Sequence, residues 1–357
     1  MYIQTLQIQR VRNLESIKLA CAPGINLFYG NNAAGKTSIL EAIYVLSHSN
    51  SFRTPRIDDV IQQKQKQLTI VADIQDLEQK PIQAGIERTR TSTLIKIGGK
   101  IIKKRSEQAR KLPVFILSPE NQQLVTGTPK NRRKWLDWNM FHVEHGYMDY
   151  WHRYHNLLRQ RNALLRHQSR DEEFGYWEEQ LAQEGENINR ARTMYLKNLQ
   201  EKLGHWFNIQ AGPVTLEYNQ ENINKEDILE KLDIGRKNDR QTGCTQYGAH
   251  RSDVIIRANS QEASKTQSQG QNKRLQLYLL LAQAELYQEK TEQNPIILLD
   301  DLPAELDHET RRTFIQSLSQ HRFQVFITAI EKNQVPDHKI LQKMFHVEHG
   351  NVTEMIE

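Results

Sequence analysis

The sequence predicts an α/β fold, a mixed sheet with helices, that is interrupted by an inserted helical lobe. Three observations favour it. An apolar strand leads through a glycine-bearing loop into a helix near the N-terminus, the middle of the chain has helical periodicity, and a late apolar strand ends in two carboxylates. At 357 residues, the chain is long enough for one large domain with an insertion, or for two domains.

Composition excludes several classes of protein. Two cysteines, Cys21 and Cys244, are too few for a disulfide framework and suit a reducing compartment. The N-terminus does not resemble a signal peptide, and no apolar run approaches the roughly 20 residues of a membrane helix. We therefore expect a soluble, cytoplasmic protein. The net charge of +5 is compatible with nucleic-acid binding and equally with an ordinary solvated surface.

The first 111 residues are predicted to be mostly β around one helix, forming the N-terminal part of the head. Alternating apolar and polar residues predict strands over 2–9, 16–20, 68–75, 82–87 and 93–97. Turns are predicted at Pro23-Gly24 and at Gly98-Gly99.

Residues 30–37 read GNNAAGKT and fit the P-loop pattern G-x-x-x-x-G-K-[ST]. The apolar run 25–29 precedes the motif, and apolar residues at helical spacing follow it, which is the context that the motif requires. Backbone N–H groups and the helix N-terminus would bind phosphate, Lys36 would contact the β- and γ-phosphates, and Thr37 would bind Mg²⁺. The predicted ATP-binding residues here are Gly30, Asn31, Asn32, Ala33, Ala34, Gly35, Lys36, Thr37 and Ser38.

Residues 112–235 are predicted to form the inserted helical lobe, leaving 236–357 as the C-terminal part of the head. One helical face is indicated by Trp151, Tyr154, Leu157, Leu158, Leu164 and Leu165. A second run has steps of four and seven, the spacing of an amphipathic helix: Trp177, Leu181, Ile188, Tyr195, Leu199 and Leu203. The polar stretch 221–240 is predicted to be a mobile connection.

Residues 295–301 read PIILLDD, an apolar strand that ends in two carboxylates, as in a Walker B motif. Asp300 would hold Mg²⁺ together with Thr37, and Asp301 would orient the attacking water. The predicted catalytic residues are therefore Lys36, Asp300 and Asp301. An apolar strand is also predicted at 324–328, and a helix at 274–286.

Residues 267–271 read QSQGQ and resemble the signature motif of the ABC ATPase superfamily, and residues 304–307 resemble its D-loop. In that superfamily the signature of one subunit completes the ATP site of the other, which implies that Ser268, Gly270 and Gln271 contact the nucleotide of a second copy. The motif lacks the usual Leu and first Gly. Asp301 replaces the usual Glu, which implies slow turnover. Transporters have a histidine after the strand that corresponds to 324–328, and it senses the γ-phosphate. Ala329 stands at that place here, and Thr328 could substitute weakly as the sensor.

The long interval between the P-loop and the signature resembles the SMC and recombination-repair branch of the superfamily. Further motifs are similar to those of the RecF family of bacterial recombination mediators: residues 12–14 (RNL), 117–120 (LSPE), 127–133 (GTPKNRR), 136–138 (LDW), 247–253 (YGAHRSD) and 345–348 (FHVE). The resemblance implies an ABC-type P-loop ATPase head with Arg12 and Asn13 in the nucleotide site. It also implies ATP and Mg²⁺ as cofactors, weak DNA-stimulated ATPase activity, and an ATP-dependent homodimer on DNA. RecO and RecR would be partners in loading RecA at gaps, with a role in SOS induction.

Clusters of basic residues are the candidate contacts to DNA phosphates, which they would neutralise without reading sequence. They are Lys100, Lys103, Lys104, Arg105, Arg110, Lys111, Lys130, Arg132, Arg133 and Lys134. As alternatives, these are solvated surface charges, or Arg132 and Arg133 brace the lobe on the head.

Three rival functions need features that the sequence lacks. A transporter ATPase would need a short interval between its nucleotide motifs, and a nuclease-linked ATPase a further acidic cluster after residue 301. An SMC-like ATPase head with a structural role in the chromosome, which is the main alternative, would need a long coiled coil.

The heptapeptide MFHVEHG occurs twice, at 140–146 and 344–350. Its His-x-x-His spacing is not completed by other ligands, so we expect no zinc site. The differing contexts argue against a structural repeat, and constraint on the gene sequence is a further alternative.

Overall fold

The computed structural model describes residues 1–75, 81–118, 123–144, 146–206, 213–219, 224–302, 306–335 and 340–355. The strands are β1 Tyr2–Val11, β2 Leu14–Ala20, β3 Ile25–Tyr29, β4 Gln67–Gln75, β5 Pro81–Thr89, β6 Thr93–Ile97, β7 Lys100–Ile101, β8 Val114–Leu117, β9 Val214–Asn219, β10 Asp253–Ala258, β11 Gln261–Glu262, β12 Ile296–Leu299, β13 Gln324–Ala329, β14 Leu341–Glu348 and β15 Asn351–Met355. The α-helices are α1 Lys36–His48, α2 Arg105–Lys111, α3 Gln123–Thr126, α4 Pro129–Val143, α5 Tyr147–Arg166, α6 Gly175–Trp206, α7 Lys225–Thr242, α8 Ala263–Thr266, α9 Gln269–Thr291 and α10 His308–Gln320. The predicted α/β fold is confirmed.

The chain divides into two compact units. The first comprises Met1–Gln122, Gln269–Leu280 and Tyr287–Glu357, and the second comprises Gln123–Ser268 and Leu281–Leu286. These bounds differ from the predicted lobe at 112–235. Strand β8 pairs in parallel with β12 and therefore belongs to the first unit. Strand β10 pairs with β9 and therefore belongs to the second.

The central sheet of the first unit has the strand order β15-β14-β3-β13-β12-β8. Strand β3 lies between β14 and β13 and is parallel to both. Strands β12 and β13 are buried along their whole length, which is why they read as continuous apolar runs. Because β3, β12 and β13 are parallel, their carboxyl ends meet at one edge of the sheet, where the P-loop and both carboxylates follow.

A second, antiparallel sheet of this unit has the order β2-β1-β4-β5-β6-β7. The alternation that predicted its strands matches the burial along β4, where every second side chain is buried. The predicted turn at Gly98-Gly99 is confirmed, since Ile97 pairs with Lys100 around it. Helix α1 contacts strands of both sheets and buries Ile39, Leu40 and Ile43 in the common core.

The second unit combines helices with the three-stranded sheet β11-β10-β9. Its longest described helix, α6, has 32 residues and packs against α5, α7 and β9, which confirms the amphipathic helix predicted around Trp177 to Leu203. The mobile connection predicted at 221–240 is wrong where the structure describes it, because α7 begins at Lys225. Asn224 caps this helix through Asp227 N–H, and the helix buries Ile228 and Leu232.

The two copies of MFHVEHG adopt different structures. In the first copy, Met140 to Val143 end helix α4, His145 lies outside the described residues, and Gly146 has a φ of +87° directly before α5. In the second copy, Met344 to Glu348 lie in strand β14, which pairs with β3. In the described part of the chain, no helix combines the length and the apolar composition needed to cross a membrane.

Candidate functional site

The P-loop connects β3 to α1 with glycines at both ends. Gly30 has a φ of +149°, and a Cβ there would lie 2.1 Å from the carbonyl oxygen of Val347. Gly35 has a φ of +119°, and its Cβ would lie 3.0 Å from Asn13 Nδ2. Glycine is therefore required at both positions for the loop to take this backbone in this space.

Lys36, the first residue of α1, holds its ammonium group against the loop. Its Nζ donates to the carbonyl oxygens of Gly30 at 2.6 Å and Asn31 at 2.8 Å. Burial lowers the pKa of Lys36, and the carboxylates of Asp301 and Asp300 partly oppose that shift. The cation is therefore placed at the mouth of an anion-binding loop.

The carboxylate of Asp300 accepts hydrogen bonds from hydroxyls on two elements. Thr37 Oγ1 donates to Asp300 Oδ1 at 2.9 Å and Oδ2 at 3.1 Å, and Thr328 Oγ1 donates to Oδ1 at 2.7 Å. Asp301 has a φ of +54°, and its N–H donates to Thr328 Oγ1 at 2.7 Å. A hydroxyl has one proton, and that of Thr328 is donated to Asp300. It is therefore not available to a γ-phosphate, contrary to the sensor role expected for Thr328.

Arg12 and Asn13 border the P-loop, as the family resemblance implied. Asn13 Nδ2 donates to the carbonyl oxygens of Ala33 and Ala34, and its Oδ1 accepts from Ser38. Arg12 makes a two-point ion pair with Glu41 at 2.9 and 2.8 Å. This contact raises the pKa of Arg12. The side chain of Glu41 is fully buried, so it fixes the guanidinium beside the loop.

A cavity of about 890 Å³ lies over the P-loop in the first unit. The predicted site residues that line it are Arg12, Asn13, Asn32, Ala33, Gly35, Lys36, Thr37, Ser38, Asp300 and Asp301. Thr328, which the sequence suggested as a weak γ-phosphate sensor, also lines the cavity. Sequence reasoning missed the other residues of the cavity wall: Arg53, Asp58, Asp59, Ile61, Gln62, Gln63, Lys64, Gln65 and Arg90. No motif marks these residues. The sequence did contain one signal for Arg53, because Glu41 on the apolar face of α1 indicates a cationic partner, and Arg53 is one of its partners.

The residues of the cavity fit a magnesium–nucleoside triphosphate. A Cβ at Gly30 would collide with Val347 O and one at Gly35 would press on Asn13, so only glycine keeps the phosphate loop in this conformation. Lys36 supplies positive charge, and the Thr37 hydroxyl and the Asp300 carboxylate are the hard oxygen ligands that Mg²⁺ prefers.

The signature residues lie elsewhere. Ser268, Gly270 and Gln271 are exposed, around the point where α9 begins at Gln269. Gly270 and Gln271 are not among the described residues that line the cavity. Of the predicted D-loop, residues 304 and 305 lie outside the described residues. Asp307 caps α10 by accepting from Thr310 N–H at 2.9 Å.

Two of the family-like motifs meet inside the second unit at Arg192, which is 2% exposed. Arg192 donates to Asp137 Oδ1 at 2.6 Å, to Ala249 O at 2.7 Å and to Ser252 Oγ at 3.0 Å. The residues of motifs 136–138 and 247–253 are thus joined by one buried cation. These contacts connect α4, α6 and the segment before β10 within the second unit.

The candidate DNA contacts divide into two groups. Arg132 forms a two-point ion pair with Asp253 at 2.8 and 2.7 Å, and Arg133 donates to Ser252 O at 2.6 Å, so both brace α4 within the second unit. The other candidates are exposed: Lys100, Lys103, Lys104, Arg105, Arg110 and Lys111 in the first unit, and Lys130 and Lys134 in the second.

Known proteins resemble the chain along its whole length. The family model described as RecF/RecN/SMC N terminal domain matches residues 2–353. Two proteins named DNA replication and repair protein RecF are each 36% identical to it. That of Thioalkalivibrio sulfidiphilus aligns over 361 residues and 99% of each chain, and that of Nitrosococcus oceani over 364 residues and 100% of each.

Solved structures extend this similarity to the fold. A structure of the recombination mediator protein RecF with ATP, in the RecFOR pathway, superposes with a TM-score of 0.86 at 27% identity and covers 99% of each chain. An Smc head domain from Pyrococcus furiosus has a TM-score of 0.61 at 14% identity, covering 99% of this chain and 96% of that one, which is a likeness of fold alone.

Proposed function

Since the chain belongs to the RecF family, within the RecF/RecN/SMC group, we propose that it acts in DNA replication and repair as an ATP-dependent DNA-binding clamp. The observation that carries the proposal is the convergence of Lys36, Thr37 and Asp300 on one cavity above the P-loop.

ATP with Mg²⁺ is the proposed ligand of this cavity. Lys36 and the loop N–H groups would bind the phosphates, and Thr37 and Asp300 would hold the metal ion, which neutralises phosphate charge when bound. Asp301 would orient the attacking water. An aspartate is shorter than the usual glutamate, so the proposed ATPase activity is weak, and we propose that DNA stimulates it.

An ATP-dependent homodimer is the second part of the proposal. Ser268 and Gly270 are exposed near the N-terminus of the 23-residue helix α9, where backbone N–H groups favour an anion. We propose that these residues bind the nucleotide held by a second copy. Because this contact exists only in the paired state, ATP shifts the population toward the dimer.

Sequence-independent DNA binding, at duplex or gap junctions, is the third part. The exposed basic residues from Lys100 to Lys111 would contact phosphates in the first unit. RecR and RecO are the proposed partners in loading RecA at gaps in the cytoplasm, with a role in SOS induction. The alternative, an SMC-like head with a structural role, is less supported, since α6, with 32 residues, is the longest described helix.

Lys36→Ala tests the proposal. We expect it to lose binding of a fluorescent ATP analogue by about 100-fold or more, and to lose both the ATP-dependent increase in size and the ATP-dependent retention on gapped DNA. Fluorescence titration measures binding of the analogue. Light scattering with and without ATP, and then with gapped DNA, measures the change in size and the retention on DNA. Lys332→Ala, at an exposed position outside the cavity, is the matched control. Wild-type protein that binds no ATP would refute the proposal.

A further inference from the structure

Thr328 lies at the level where two parallel strands end. Leu299, the last residue of β12, pairs with Ile327 of β13. Asp300 directly follows β12 and therefore lies beside Thr328 of the neighbouring strand β13. Thr328 is 1% exposed, so its hydroxyl must find partners inside the protein.

The hydroxyl of Thr328 joins the two acidic residues through different groups. It donates to the side chain of Asp300 at 2.7 Å and accepts from the backbone N–H of Asp301 at 2.7 Å. Asp301 has a φ of +54°, in the left-handed region that non-glycine residues adopt uncommonly, aspartate more often than most. The Thr328 hydroxyl thus fixes the direction of the Asp300 carboxylate and holds the backbone of Asp301.

We propose that Thr328 is a positioning residue for the metal-holding carboxylate and for the backbone of Asp301. The inference rests on the proposed ATP site and gives Thr328 a positioning role in place of the sensor role expected from the sequence. Thr328 acts through Asp300 and Asp301 rather than by touching the nucleotide.

The hydrogen bond from Thr328 to Asp300 matters because Thr37, the other hydroxyl donor to Asp300, has two roles. Its hydroxyl donates to Asp300 in this structure, and its oxygen is also a proposed metal ligand. Thr328 gives the Asp300 carboxylate a hydroxyl contact that persists when Thr37 turns toward the ion. Ligands held in place by outer contacts bind metal more tightly than mobile ones.

Thr328→Val tests this inference, because valine keeps the shape of threonine and removes the hydroxyl. We expect the Mg²⁺ concentration for half-maximal binding of a fluorescent ATP analogue to rise about tenfold or more. Binding without Mg²⁺ should stay within about twofold of wild type. Thr328→Ser keeps the hydroxyl and should restore the wild-type Mg²⁺ dependence. Thr69→Val, the same substitution on β4 outside the cavity, is the matched control.

The outcomes separate the inference from the function on which it rests. Wild-type protein that binds no ATP contradicts the proposed function. Wild-type ATP binding combined with unchanged Mg²⁺ dependence in Thr328→Val overturns only the role of Thr328. If circular dichroism shows that Thr328→Val is unfolded, Thr328→Ala replaces it. Equal Mg²⁺ dependence in the alanine and serine variants would then overturn the inference, since it would assign the effect to the lost methyl group.

Discussion

Asp300 and Asp301 are adjacent in sequence, but the structure holds them by different groups. The Asp300 side chain receives two hydroxyls, whereas Asp301 is held through its backbone N–H and turns out of the strand with a φ of +54°. Both line the cavity. We propose that the Asp300 carboxylate is the metal ligand and that Asp301 is the base.

Asp301→Asn should therefore separate binding from hydrolysis. Asparagine keeps the size of the side chain but cannot take up a proton, so we expect ATP turnover to fall by about 100-fold or more while ATP binding persists. The ATP-bound dimer should accumulate, as measured by light scattering beside a phosphate-release assay. Glu309→Gln, an exposed change at the start of α10, should behave as wild type. A monomer in saturating ATP would contradict the role of Asp301.

His250 makes the stability of the second unit depend on pH. Its Nε2 faces the carbonyl oxygen of Thr245 at 2.9 Å and therefore carries the proton, so Nδ1 accepts from Tyr154 O–H at 2.8 Å. Burial lowers the pKa of His250 to about 4. The unfolded chain, with an ordinary histidine pKa near 6.5, binds more protons between these values. The stabilisation is thus present above about pH 6.5 and is lost as the pH falls toward 4.

We expect His250→Gln to remove this dependence. The stability advantage of wild type over the variant should shrink by about 2 kcal/mol between pH 7.5 and pH 4.5. Urea unfolding followed by tryptophan fluorescence at each pH measures it. An advantage that stays constant with pH would mean that His250 is not buried in its neutral form.

At the scale of whole elements, the β14–β15 hairpin supports the P-loop through contacts to β3 and to Ala34. Phe345 stacks on Phe28 of β3, with ring centroids 4.9 Å apart. At the hairpin turn, Gly350 N–H donates to Ala34 O at 2.8 Å. The second copy of the repeated heptapeptide therefore supports the phosphate loop from the neighbouring strand and turn.

Gly350→Ala should damage the nucleotide site from outside it. A Cβ at Gly350 would lie 2.3 Å from the backbone oxygen of Asn13, so the hairpin must move and Ala34 O loses one of its two donors. We expect ATP-analogue affinity to fall about tenfold or more, together with the melting temperature.

Gly99→Ala is the matched control. Gly99 has nearly the same φ, +77° against +79°, but its Cβ would meet nothing within 4 Å. It should carry only the backbone strain of about 1 kcal/mol, with ATP binding unchanged. Equal loss of ATP binding in both variants would assign the effect to strain and not to the support of the P-loop by the hairpin.

For the whole molecule, the proposed partnership between copies rests on the exposure of the signature residues and on Gly270 and Gln271, which are not among the described residues that line the cavity. Ser268 is exposed, and Gly270 would meet nothing within 4 Å if it carried a Cβ. The surface around the start of α9 is thus open to a second molecule.

Ser268→Arg should block that partnership alone. The long cation would obstruct a closely fitting phosphate contact, so we expect ATP binding to stay within about twofold of wild type while the ATP-dependent dimer is lost. Equilibrium binding and sedimentation velocity with ATP separate the two effects. Ser319→Arg adds the same charge at an exposed serine of α10 and should still dimerise. A Ser268→Arg dimer at wild-type affinity would rule out the signature as the interface.

The amino-acid sequence alone determined the P-loop, the acidic strand end, the strands β1, β2, β4, β5 and β6, and the buried strands β3, β12 and β13. These features depend on local chemistry. Glycine is needed where φ is positive, apolar runs form buried parallel strands, and alternation marks strands with one wet face. The helix α7 was missed because its apolar residues are few, and Ile228 and Leu232 are buried only through packing within the second unit.

Only the tertiary structure decided how distant residues combine. Thr328 meets Asp300 because their strands are neighbours, and Arg192 joins motifs that are far apart in sequence. The heptapeptide MFHVEHG makes the point directly, since Met140 to Val143 end a helix in one copy whereas the matching residues Met344 to Val347 lie in a strand beside β3 in the other. Local preference is weak for such a segment, and the burial and backbone pairing offered by its surroundings outweigh it.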